Sequence, residues 1–334
     1  MRRIRETLAA MYRMTLVFLV LSACRGKQAE PPPPPPPAPP QDGVTLIQPG
    51  TAPWQPLRYH LTRGARTTSE LAYDVGVKDD GQGRPLPTLV FELETAVDDV
   101  LPDGTAKLRI TIGRASVRDR PGSEPASELT RREAAAMQGV VITEQLAPDG
   151  QVTDAHVQAA AALSEQAHAQ LDSLSQGLER VAMRLPAEPV GDGATWRGRQ
   201  TLPAGGIQAV SEITYTLTSR AGDTVAYTSA GQATGAPQTL EQDGLWVEVT
   251  STHGHAEAQG TIDLSSYALE VRSTSTLATA MNVIAPRGTP GAGPSNVEVT
   301  TALQLSPRPA SPSTPADLPG AEAGRSVQGA HKAP

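Results

Sequence analysis

Leu89-Val90-Phe91-Glu92-Leu93 sets the period of this chain. Leu89, Phe91 and Leu93 fall on one side of an extended backbone, Val90 and Glu92 on the other, which is the two-residue repeat of a strand with one buried face. The repeat recurs on both sides: Leu57, Tyr59 and Leu61, then Leu71, Tyr73 and Val75 before it, and Leu108, Ile110 and Ile112 after it. Between these runs lie Asp79-Asp80-Gly81, Pro102-Asp103-Gly104 and Pro148-Asp149-Gly150, whose Asp and Gly suit reversals of the chain. The pattern predicts a meander of antiparallel strands. Further short runs at 225–227, 245–249, 261–264, 268–271 and 297–303 extend it, so that residues 44–305 read as one β-rich domain.

One segment departs from the period. From Asp154 to Leu185, Val157, Ala160, Leu163, Ala167, Leu171, Leu174, Leu178 and Val181 follow in steps of three and four. That spacing predicts a long amphipathic helix over about 154–185, ended by Pro186, with its stripe buried against the sheet. The expected class is therefore α+β, mostly antiparallel β: a curved sheet or half-barrel packed on one long helix. Trp54, Gly64 and Ser69-Glu70-Leu71-Ala72-Tyr73 match Trp196, Gly206 and Ser211-Glu212-Ile213-Thr214-Tyr215 at a constant offset of 142 residues. Two duplicated halves, with Trp54 and Trp196 as equivalent anchors, would produce this, and so would chance likeness between two amphipathic strands.

The start of the chain reads as a signal for export. Arg2, Arg3, Arg5 and Arg13 precede the apolar run Met14 to Leu21, which is too short to cross a bilayer as a helix. Leu21-Ser22-Ala23-Cys24 then resembles the lipobox of bacterial lipoproteins. The resemblance implies cleavage after position 23 and acylation of Cys24, the sole cysteine, which would hold the protein to a membrane. Arg25, in place of the Asp that retains such proteins at the inner membrane, points to the outer one. Residues 24–43 follow as a tether, stiffened by the polyproline run Pro31 to Pro37. Residues 306–334, rich in Pro, Ala, Ser and Gly and without periodicity, read as a disordered tail.

Leu185-Pro186-Ala187-Glu188-Pro189-Val190-Gly191-Asp192-Gly193-Ala194-Thr195-Trp196, together with Gly139-Val140-Val141 and Asp149-Gly150-Gln151-Val152, resembles an element of uncharacterised secreted bacterial lipoproteins. The likeness spans roughly residues 55–285 and implies no activity.

Charge and motifs narrow the functions. The net charge is −7, and the first 24 residues hold four Arg against one Glu, so the remainder is near −10. An acidic chain of this kind lacks the clustered Lys and Arg that a phosphate backbone requires, so nucleic acid is an unsuitable partner. His253-Gly254-His255 places two imidazoles on one side of a strand, with Glu257 the nearest third ligand, a pattern met far more often in solvated histidines than in zinc sites. Asp98, Asp99 and Asp103 lack the spacing of a calcium loop, and no serine sits in a Gly-x-Ser-x-Gly elbow. No metal, cofactor or catalytic set is therefore expected. Two readings remain: an envelope lipoprotein that acts as a structural or interaction module, and a carrier of lipid resembling in outline the half-barrels of periplasmic lipoprotein carriers. The second needs an apolar pocket at Leu171, Leu174 and Leu178, with a void of several hundred Å³.

Overall fold

The computed structural model describes residues 43–158 except 124, and 171–308 except 172–173, 176, 179–180, 205–206, 243–244 and 285–292. The lipobox Leu21-Ser22-Ala23-Cys24, the proline run and positions 309–334 lie outside the described residues.

The chain enters on β1 (Gly43–Gln48) and β2 (Thr51–Gln55). An N-terminal meander follows from β3 (Arg66–Asp79), β4 (Gln82–Pro85), β5 (Thr88–Val100) and β6 (Ala106–Arg118), then helix α1 (Glu128–Ala136), β7 (Val141–Leu146) and β8 (Val152–Gln158). After β9 (Val190–Asp192), a second meander runs through β10 (Thr195–Ala204), β11 (Ile207–Ala221), β12 (Thr224–Gly235), β13 (Gln238–Gln242), β14 (Leu245–Asp263), β15 (Leu269–Ile284) and β16 (Gly293–Arg308). One antiparallel sheet holds both meanders, in the order β1-β10-β11-β12-β14-β15-β16-β3-β5-β6-β7-β8. The seam is β16 against β3, where Leu305 faces Leu71 and Leu303 faces Tyr73. β2 and β9 form a separate small ribbon.

Alternation decides which face is buried. Leu71, Phe91, Leu93, Leu108, Ile110 and Ile112 all turn inward, as their period predicts. The same buried cluster takes Ile142 and Leu146 from β7 and Trp196 from β10, near opposite ends of the strand order, so the apolar face wraps around what lies between them. Three segments fill that space: Leu57 to Leu61, the turn 148–151, and the described residues between Leu171 and Leu185. They are stitched together by polar contacts that leave few backbone groups unmet. Tyr59 N–H donates to the Pro148 carbonyl at 2.9 Å and Leu185 N–H to the Asp149 carbonyl at 2.8 Å. Met183 N–H donates to the Tyr59 hydroxyl at 3.1 Å, and the Arg58 guanidinium donates to the carbonyls of Pro186 (2.6 Å) and Ala187 (2.7 Å).

The long helix expected over 154–185, packed on the sheet, is not what forms. Residues 152–158 are instead β8, with Val157 paired to Ile142 and Val152 to Leu146. Among the described residues the one helix with full bounds is α1, which the strand-dominated reading did not anticipate. It starts where Ser127 Oγ accepts the Thr130 N–H at 3.1 Å, and it packs on β6. Leu171, Leu174 and Leu178 have helical backbone and are buried, whereas Val181 and Ala182 are already in turns and positions 159–170 lie outside the described residues. The architecture is therefore an almost wholly antiparallel β sheet curled around short packed segments, not a sheet resting on one long helix.

The two tryptophans are not equivalent, which removes the case for duplicated halves. Trp196 is 0% exposed on β10, whereas Trp54 is 59% exposed on the small ribbon and is no structural anchor. Strand β16 also continues through Ser306 to Arg308, three residues into the stretch expected to be tail.

Candidate functional site

Each inward residue of the central strands has an outward neighbour, and the outward face is hollow. β11 sends Tyr215 and Leu217 to the core and Thr214 and Thr216 to the other side; β16 sends Leu305 inward and Ala302 and Gln304 outward. The register aligns these outward residues into rows across six strands. One row is Thr214, Ala230, Glu257, Thr274, Ala302 and Asp74. The next is Thr216, Thr228, Gln259, Arg272, Gln304 and Ala72. Both rows line a single open groove of about 650 Å³, which Arg118 at the end of β6 also borders. Residues on β3 and β11 share it although four strands lie between them, so the sheet bends towards its polar face there. Twist makes this compatible with wrapping of the apolar face elsewhere, because a strongly twisted sheet is hollow on each side along a different diagonal. At about 4.8 Å per strand the rows extend roughly 24 Å.

The charges around the groove fall into two groups. Most are matched: Asp74 to Arg120 at 3.1 Å and to the Thr88 hydroxyl, Glu298 to Lys78 at 2.7 Å, Glu212 to Arg199, and Arg308 to Glu92 at 2.6 Å. Arg118, Arg272 and Glu257 line the groove, are exposed, and have no ion pair among the described residues. Among the described residues no aromatic ring lines it. His253 and His255 stand on the same face of β14, in the two rows beyond Glu257, both exposed. Among the described residues no three His, Cys, Asp or Glu come together to hold a metal.

Beside Leu178 the described residues leave little space. Leu171, Leu174 and Leu178 are buried in the core, as a lining role requires, but the cavity beside Leu178 holds only about 30 Å³. It is bordered by Ile110, Tyr267 and Leu305, and its volume is close to that of one water. Rings fill part of the core: Trp196 stacks on Tyr215 at 5.7 Å, Tyr215 meets Tyr227 at 6.3 Å, and Tyr59 meets Tyr267 edge-on at 5.9 Å. Trp196 Nε1 donates to the Arg184 carbonyl at 2.7 Å, which satisfies its one polar atom. Burial pushes the Tyr215 phenol up to about 12 and raises Tyr59 and Tyr227 further. Tyr267 is also raised, by burial first and then by the charge of nearby Glu144, itself 3% exposed on β7.

Sequence reasoning named Trp196 and the three leucines but missed the groove. Its residues are unremarkable threonines, glutamines and alanines in their own strands, and only the register makes them neighbours. The polar alternation in β11 and β16 was visible; which strand lay beside which was not. Among the described residues no helix is long and apolar enough to cross a membrane. No protein-family model matches this chain, and no curated protein matches it significantly.

Proposed function

We propose that this chain is an envelope lipoprotein, attached to the outer membrane through Cys24, whose β body is a non-catalytic interaction module. The supporting observation is a contrast of volumes: an open polar groove of about 650 Å³ on the outer face, against about 30 Å³ beside Leu178 inside. A recognition surface needs the first, and a lipid carrier needs the second to be some ten times larger. The groove carries hydrogen-bonding and charged groups on the rigid backbone of long paired strands, which suits binding at a fixed geometry. The anchor rests on the lipobox sequence at 21–24.

Two measurements test this reading. Cells expressing the full chain and fed an alkynyl palmitate should label it, and Cys24→Ser should abolish the label; equal labelling of both would remove the anchor. Native mass spectrometry of the purified chain should show no stoichiometric lipid beyond the acyl chains at Cys24. A bound lipid that survives dilution would instead favour the carrier.

A further inference from the structure

Several cations near the groove, among them Arg120, Lys78, Arg199 and Arg308, are committed to carboxylates, whereas Arg118 and Arg272, which line it, have no ion pair among the described residues. An unpaired guanidinium at a protein surface is unremarkable. Two of them lining one concavity, on β15 and β6 four strand spacings or roughly 19 Å apart, offer two separate positions for carboxylates, amid side chains that both donate and accept hydrogen bonds. The rest of the groove says what carries that carboxylate. Arg272 stands between Gln259 and Gln304 in its row, and Thr228 and Thr274 lie close by, so amide and hydroxyl groups surround it. Such groups match the N–H and C=O of a peptide backbone. With no aromatic ring among the described residues of the groove, a sugar or a base would find nothing to stack on there.

We propose that the groove binds a short acidic peptide in extended form, lying across the strands, with carboxylates held by Arg118 and Arg272. This deepens the reading of the body as an interaction module and rests on it. The chain's overall charge of −7 does not forbid it, because at physiological salt the field of distant carboxylates is screened beyond about 8 Å; of the two carboxylates in the lining itself, Asp74 is already paired with Arg120 and Glu257 is not. Glu257 lies one strand from Arg272, in the neighbouring row, and opposes negative charge there. It limits where along the groove an acidic residue is accepted.

The test is fluorescence polarisation with the mature chain purified in detergent and fluorescein-labelled tetraglutamate, tetraglutamine and tetralysine. Tetraglutamate should bind saturably, at least tenfold tighter than tetraglutamine, with tetralysine weaker still. Arg272→Gln and Arg118→Gln should each weaken tetraglutamate tenfold or more, and Glu257→Gln should tighten it two- to fivefold, a gain that misfolding cannot produce. Raising salt should weaken the parent more than Arg272→Gln. No binding of tetraglutamate up to millimolar concentration overturns the proposal, as does binding unaffected by all three substitutions. Competition by inorganic phosphate as effective as by unlabelled tetraglutamate would also overturn it, showing a simple anion site. Equal binding of tetraglutamine would overturn the acidic class while leaving the groove as an interaction surface, so the two readings fail separately.

Discussion

At the scale of single residues, two tryptophans with the same hydrophobic content meet opposite fates. Trp196 fills the core, stacks on Tyr215 and has its N–H satisfied. Trp54 sits on a two-stranded ribbon outside the core, with Nε1 donating to the Gly50 carbonyl four residues back at 3.2 Å. Trp196→Ala should therefore cost about 3–5 kcal/mol by urea unfolding, the toll of emptying a large buried site. Trp54→Ala should stay within about 0.5 kcal/mol, as exposed substitutions do. Comparable losses for both would mean that Trp54 is covered in solution. The reading of Trp54 as an anchor failed because side-chain type reports the tendency to be buried and not the location. In Leu71, Phe91 and Ile112 alternation with the neighbouring residues adds the direction that side-chain type lacks, and all three are buried.

At the scale of elements, the turn at Pro148-Asp149-Gly150 shows what local signals can and cannot convey. Its Asp and Gly marked a reversal between strands, and Asp149 Oδ1 does accept the Gln151 N–H at 3.0 Å. What no local signal showed is that this turn also clasps the segment 183–185 and Tyr59. Gly150 has φ +81°, and a Cβ there would come within 2.1 Å of the Met183 carbonyl oxygen, a backbone atom with no freedom to rotate aside. Gly150→Ala should thus destabilise by more than about 2 kcal/mol, since strain in φ and a backbone clash act together. Gly139→Ala, with φ +82° and open space around it, should lose about 1–2 kcal/mol, the strain alone. The same limit explains the misread helix. Steps of three and four begin at Asp154 and Val157, but these residues pair with β7, because a strand here covers the edge of β7, which a helix, bonding only its own backbone, would leave open. Conversely, α1 carried a legible start in Ser127-Glu128, a capping serine and an acidic first turn.

At the scale of the whole molecule, the ring cluster joins residues from β10, β11 and β12 with loops from the first half, so its protonation bears on the entire fold. The phenols of Tyr59, Tyr215 and Tyr227 are raised by burial above the unfolded value near 10. A folded pKa above the unfolded one means that the stability is fully present below about pH 10 and declines as pH rises towards 12. The expected result is a single alkaline transition in that window, with tyrosinate absorbance at 295 nm and loss of the strand circular dichroism signal rising together. Gradual ionisation with the sheet intact would show that solvent reaches these rings. As for the groove, its twelve row residues come from six strands separated by as many as 232 positions, between Ala72 and Gln304, so its assembly depends on pairings that no local pattern states.

The strand that joins the two meanders is the last of those described. Until β16 is made, β3 has no partner along Thr68–Asp79 except β5 and the short β4, and β15 has an open edge as well. A chain emerging from its N-terminus therefore presents two half-sheets with bare edges, the kind of surface on which strands from other chains add and aggregate. The seam closes only once Val297–Arg308 has arrived, so folding of the body waits on its final dozen residues. That delay leaves the two halves in need of protection for as long as their shared strand is missing.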